Sequence, residues 1–139
     1  MINIKRIAAS LMVAATMVTG AVGTISASAN NSADTSFSNF SVSSTVHYTS
    51  SRSKTDATSA TVKINSVSYS GATATVRVYT GNYVDKTYGT APVVGVSSYY
   101  TYLPNTVYED GYRTARLGFT RASGPSTFTI SGVWSPDSV

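Results

Sequence analysis

The alternation of apolar and polar residues is the feature that most constrains how this chain can fold. In ATATVRVYT, residues 72–80, every second residue from Ala72 to Val78 is apolar, while Arg77 and Tyr79 fall on the opposite face. A side-chain period of two is typical of a β-strand with one buried face. Beyond residue 29 no stretch shows sustained helical periodicity, so the sequence predicts an all-β domain.

The same pattern recurs in about seven or eight short segments that turn residues separate. They lie at 37–42, 46–48, 60–69, 72–80, 83–88, 98–103, 112–120 and 127–134. Short strands with regularly spaced turn signals predict an antiparallel β-sandwich, and a small β-barrel is the alternative.

Local signals add detail to this arrangement. Ser70-Gly71 and Asp110-Gly111 are hairpin-turn signals, and we expect the segments on either side of Ser70-Gly71 to pair with each other. The apolar residues change parity between Ile64 and Val67. That change predicts a β-bulge near Asn65-Ser66.

The first 29 residues have the layout of a secretory signal peptide. Lys5 and Arg6 form a short basic region, residues 7–22 carry no charge, and Ala27-Ser28-Ala29 is a small-x-small cleavage signal. We therefore expect a helical signal peptide at 1–29 that is cleaved after Ala29, and a secreted, extracellular protein.

After cleavage we expect a flexible N-terminus at 30–35 and a single β-sandwich domain at 36–139. The chain contains no cysteine, so the secreted domain has no disulfide to stabilise it. Eight basic and six acidic residues remain once Lys5 and Arg6 are removed, a net charge of +2 without a basic stripe. Because nucleic-acid binding calls for such a stripe, we expect no nucleic-acid partner, and no membrane span after cleavage.

The side chains needed for catalysis or metal binding are scarce. The single histidine, His47, lies between Val46 and Tyr48 and is interpreted as an exposed strand residue. No nucleophile motif of the G-x-S-x-G kind is present, and the adjacent acids Glu109-Asp110 are explained by the Asp-Gly turn. We therefore predict a protein that is not an enzyme, with no catalytic, cofactor-binding or metal-binding residue and no cofactor.

The segment SSYYTYLPNTVYEDGYRTARLGF, residues 97–119, holds five of the ten tyrosines. Tyr99 and Tyr100 are neighbours, so on a strand one ring should help to close the core and the other should be exposed. Four tyrosines are predicted to face outward as a candidate binding surface: Tyr100, Tyr102, Tyr112 and Tyr79. An exposed tyrosine offers a flat apolar ring and a hydroxyl to a ligand. The alternative is that these rings form cross-strand pairs that only stabilise the sheet.

The segments YRTARLGFT and FTISGVWSPDSV, behind the export signal, resemble a loose family of small secreted all-β proteins of Gram-positive bacteria. The shared features are an arginine-bearing strand and a terminal Ser-Gly-x-Trp followed by Pro-Asp, here Ser131, Gly132, Trp134, Pro136 and Asp137. The family has no assigned function, so the resemblance implies no catalytic residue. It is distantly similar to bacteriocins of the lactococcin-972 type, whose N-terminal Gly/Trp pattern is absent here. We expect Trp134 to plug one end of the sandwich and SPDSV to be a polar exit.

The leading interpretation is a secreted, non-enzymatic interaction module that binds a cell-surface or cell-wall polymer or a matrix protein. Two alternatives stay open: a bacteriocin-like antagonist of competing bacteria, and a self-assembling matrix protein that pairs through its strand edges.

Overall fold

Nine β-strands make up the described part of the protein, residues 30–139 of a computed structural model. The strands are β1 (Thr35–Val42), β2 (His47–Tyr48), β3 (Arg52–Ser53), β4 (Ala60–Val67), β5 (Thr73–Thr80), β6 (Val93–Val94), β7 (Thr101–Leu103), β8 (Thr114–Ser123) and β9 (Phe128–Ser135). The predicted signal peptide at 1–29, with its cleavage at Ala29, lies outside the described residues. Among the residues that are described, no helix is long and apolar enough to cross a membrane.

The strands form two antiparallel sheets that are not closed into a barrel. Sheet A has the order β1-β9-β4-β7, and sheet B has the order β2-β8-β5-β6 with β3 also paired to β8. The predicted all-β sandwich is confirmed, and the small-barrel alternative is wrong. The strand expected at 83–88 is reduced to isolated bridges at Asp85 and Thr87.

The core lies between the inner faces of the two sheets, as the alternation predicts. The alternating apolar side chains of β5 and β8 are all buried: Ala74, Val76, Val78, Ala115, Leu117 and Phe119. The Phe119 ring of sheet B meets two rings of sheet A, with centroid distances of 5.7 Å to Phe37 and 5.4 Å to Phe40. These edge and tilted contacts are the favoured geometry for aromatic pairs.

The hairpin predicted across Ser70-Gly71 is wrong. The chain does reverse there, with Gly71 at a φ of +83°, but β4 belongs to sheet A and β5 to sheet B. Both strands have one apolar face, and both faces are buried when the strands lie in opposite sheets. The turn at Asp110-Gly111 likewise joins β7 of sheet A to β8 of sheet B, so neither turn connects paired strands.

Two bulges face the same point of β9. Ser131 pairs with Ser66 and Gly132 with Ile64, which leaves Asn65 as the extra residue of β4. The predicted bulge near Asn65-Ser66 is thus confirmed. On the other side of β9 the register with β1 also shifts between Ile130 and Gly132.

Gly132 is required where these bulges meet, because the neighbouring backbone comes very close. A Cβ atom at this position would lie 2.2 Å from the Lys63 carbonyl oxygen and 3.1 Å from the Ile64 Cα. Real Cβ atoms do not approach backbone atoms this closely, so any larger residue would push β4 away from β9.

The C-terminal segment is buried, so the expectation of a polar exit is wrong. The side chain of Asp137 is fully buried, with its Oδ1 atom 2.6 Å from the Nζ of Lys54. Asp137 Oδ2 accepts hydrogen bonds from the backbone N–H and the hydroxyl of Thr55, at 3.0 and 2.6 Å. Burial by itself would raise the pKa of the Asp137 carboxyl, but the hydrogen bonds from Lys54 and Thr55 outweigh it and hold the pKa below its ordinary value. The tail is held inside because Lys54, also buried, needs a counter-charge there.

Replacing Gly132 with Ala should lower the free energy of unfolding by about 3 kcal/mol or more, because the backbone around Lys63 must move. Gly71→Ala is the matched control: a Cβ there has open space and meets only the strain of a positive φ, about 1 kcal/mol. Urea unfolding of both variants measures the difference. Equal losses would contradict the close approach at Gly132.

Candidate functional site

Tyr99, Tyr100 and Tyr102 all lie at the surface, on and just before the edge strand β7. Their side chains are 79%, 41% and 58% exposed. The expectation that Tyr99 or Tyr100 helps to close the core is therefore wrong. β7 begins only at Thr101, and the residues before it form a bend in which the Tyr99 N–H bonds the Ser97 hydroxyl at 3.0 Å. Alternation of faces holds only inside the strand.

The Tyr100 ring is held in place from two sides. Its hydroxyl donates a hydrogen bond to the carboxylate of Asp34, and the Nζ of Lys63 lies 5.1 Å from the ring centroid. The hydrogen bond to Asp34 is the main cause of the raised pKa of the Tyr100 hydroxyl, and partial desolvation raises that pKa further. Asp34 precedes β1 and Tyr100 precedes β7, the two edges of sheet A, so the ring reaches across the outer face of the strands between them.

Tyr102 shares this outer face. It pairs directly with Thr61 of β4, and Lys63 follows Thr61 by two residues, so all three side chains point to the same side of sheet A. Lys63 thus lies beside the Tyr100 ring and on the same face of sheet A as Tyr102. We call the surface formed by Tyr100, Tyr102 and Lys63 the tyrosine platform.

The other two predicted residues lie elsewhere. Tyr79 is on the outer face of sheet B, and burial is the main cause of the raised pKa of its hydroxyl. Tyr112 is half-buried and packs against the core cluster, with the Nζ of Lys86 5.3 Å from its ring centroid. Neither residue belongs to the tyrosine platform.

Tyr79 is instead part of a second aromatic group. Tyr48 lies edge-on to Tyr79 and to Tyr83, with centroid distances of 4.9 and 4.8 Å. The guanidinium carbon of Arg116 is 4.2 Å from the Tyr83 ring centroid, and its nitrogens donate to backbone carbonyls at 3.1 and 3.2 Å. The absence of a side chain at Gly118 makes room, since a Cβ there would lie 2.5 Å from the Tyr79 ring. In the sequence, this group is indicated by Arg116 and Gly118 of TARLGF, which lie two positions apart and therefore share the outward face of β8.

A cleft of about 240 Å³ opens between β1 and β2. Its lining includes Phe37, Phe40, Tyr48, Arg52 and Trp134. Arg52 donates to the Trp134 carbonyl at 3.1 Å and stacks 5.6 Å from the indole centroid. Burial is the main reason that the pKa of Arg52 lies below its ordinary value. The cleft is smaller than the ~300–1,000 Å³ typical of small-molecule sites, so it suits a small group better than an extended ligand.

Metal-binding side chains do not converge in the described part of the chain, and the single histidine lies near a serine hydroxyl. Within residues 30–139 no group of three or more His, Cys, Asp or Glu residues could hold a metal ion. The Nε2 atom of His47 lies 3.4 Å from the Ser43 hydroxyl, beyond the ~2.6–3.2 Å expected of a nucleophile and its base.

These features define a small open β-sandwich with the tyrosine platform on the outer face of sheet A. The model of the family described as "Protein of unknown function (DUF2712)" matches residues 25–138. The chain belongs to this family, in agreement with the predicted membership of a family without an assigned function. No curated protein and no solved structure matches the chain.

Replacing Asp34 with Ala should lower the pKa of Tyr100, because the carboxylate that stabilises the protonated phenol is lost. The pKa of Tyr79 is raised chiefly by burial and should keep its raised value, so Tyr79 is the internal control. An alkaline NMR titration of the tyrosine Cζ signals separates the two side chains. An unchanged pKa of Tyr100 would show that its hydroxyl does not bind Asp34 in solution.

Proposed function

We propose that this protein is an extracellular, non-enzymatic interaction module that binds a cell-surface or cell-wall polymer through the tyrosine platform. The observation that carries the proposal is that Tyr100 and Tyr102 stand exposed on one sheet face while Asp34 and Lys63 hold the first ring. A ring that is already fixed loses little conformational entropy when a ligand stacks on it.

The chemistry of the platform suits a polyhydroxylated chain. Each tyrosine offers a flat apolar ring with a polar tip, and the ammonium of Lys63 adds a hydrogen-bond donor and a positive charge beside Tyr100. The surface lies on the outer face of an open sheet, so a ligand could run past it in either direction. This geometry favours an extended polymer over a compact molecule.

The sequence adds two supporting observations. The layout of residues 1–29 is that of an export signal, which would deliver the domain to the compartment where wall polymers are found. The net charge of +2 after cleavage adds weak attraction to anionic polymers. Such attraction is screened by salt, whereas ring stacking is not.

The double replacement of Tyr100 and Tyr102 with Ala should reduce binding to purified insoluble Gram-positive cell wall by about tenfold or more, because losing an anchoring aromatic costs about 2 kcal/mol. A sedimentation assay at low and high salt measures the retained fraction. Wild type and Tyr69→Ala are the controls, since Tyr69 is 57% exposed and does not belong to the platform.

Wild-type binding that survives high salt and is lost only in the double variant supports the proposal. Equal binding by the double variant and the controls would remove the platform from the function. Binding by none of the proteins, with retention on immobilised matrix protein instead, would replace the polymer with a protein ligand.

A further inference from the structure

Lys54 and Asp137 meet inside the domain although 83 positions separate them in the chain. The Nζ and Oδ1 atoms are 2.6 Å apart, and neither side chain is exposed to solvent. Nζ also donates to the Thr58 carbonyl. An amine and a carboxyl group are thus held together, in contact and out of water.

The two oxygens of the Asp137 carboxyl group have different hydrogen-bond partners. Oδ1 faces the amine, while Oδ2 accepts two hydrogen bonds from Thr55. A second carboxylate is near, because Asp56 Oδ1 lies 3.9 Å from the same Nζ. The Thr58 N–H fixes that carboxylate at 2.9 Å. The amine therefore has an acceptor for a proton besides the group that it faces.

We propose that Lys54 and Asp137 condense into an intramolecular amide bond that joins the loop after β3 to the C-terminal segment. This modification is independent of what the protein binds.

The reaction starts from the ion pair and needs no further reactant. Nζ passes a proton to Oδ1, which gives a neutral amine and a neutral acid. The Nζ lone pair then attacks Cγ, and the negative charge that develops on Oδ2 falls between the N–H and the hydroxyl of Thr55. Two donors in this position stabilise a tetrahedral intermediate.

The intermediate decays when Oδ1 leaves. Asp56 takes one proton from Nζ and passes it to Oδ1, which departs as water while the Cγ–Oδ2 double bond reforms. One N–C bond is made, one C–O bond is broken, and one water molecule is released. The hydrogen bonds that hold the carboxyl group below its ordinary pKa make the first proton transfer slow, but each chain needs to react only once.

The bond is directly visible by mass spectrometry of the full chain. We expect the denatured protein to weigh less than its calculated mass by one water molecule. Trypsin should no longer cleave after Lys54, because the amine is acylated. The digest should instead contain a branched peptide in which residues 53–63 are joined to residues 122–139.

Two variants separate the bond from the ion pair. Lys54→Arg keeps the positive charge but has no amine to react, so it should have its full calculated mass and release residues 122–139 as a linear peptide. Asp56→Ala leaves Lys54 and Asp137 in place, and the crosslinked fraction should fall at least tenfold after equal time.

The wild-type measurement alone decides the proposal even if a variant does not fold. A wild-type protein of full calculated mass that trypsin cleaves after Lys54 would overturn the crosslink and leave an ordinary buried ion pair. Complete crosslinking of Asp56→Ala would overturn only the role of Asp56 as proton carrier.

Discussion

The position of the last strand is the constraint on which the rest of the structure depends. β9 lies between β1 and β4 in sheet A. The ladders that β1 and β4 form with β9 therefore require residues 128–135, which come last in the domain. Both ladders join parts of the chain that are far apart in sequence, which is the kind of contact that slows folding. A chain that lacks β9 keeps only the short ladder between β4 and β7 in sheet A, and β1 then has no partner strand in that sheet.

The same segment carries the features that finish the fold. Gly132 allows the Lys63 carbonyl to come close, Trp134 fills the space beneath Arg52, and Asp137 reaches Lys54. These residues follow one another closely, so the register of β9 also decides whether Asp137 arrives at the buried ammonium. A slip of one residue would turn Trp134 to the outer face and leave Lys54 without its counter-charge.

Much of the fold follows from the alternation of residues, because burial of a strand face is a local property. The buried faces of β5 and β8, the bulge at Asn65 and the all-β class are all predicted this way. The choice of strand partner is not local, and the turn at Ser70-Gly71 therefore predicts a reversal correctly but the wrong pairing. Burial of the Asp137 side chain cannot be predicted from the sequence either, because its partner Lys54 is distant in the chain and no residue near position 137 indicates the pairing.

The candidate site was predictable to the same extent. The spacing of two positions predicts that Tyr100 and Tyr102 share a face, but Tyr100 precedes β7, and its ring is held by a bond to Asp34, 66 positions away in the chain. That bond connects the two edges of sheet A, so Tyr100 contributes to the sheet as well as to the platform. Tyr102 has no such link to the opposite edge and is more exposed. Of the two rings, Tyr102 is therefore the one whose loss reports on ligand binding with the least disturbance of the sheet.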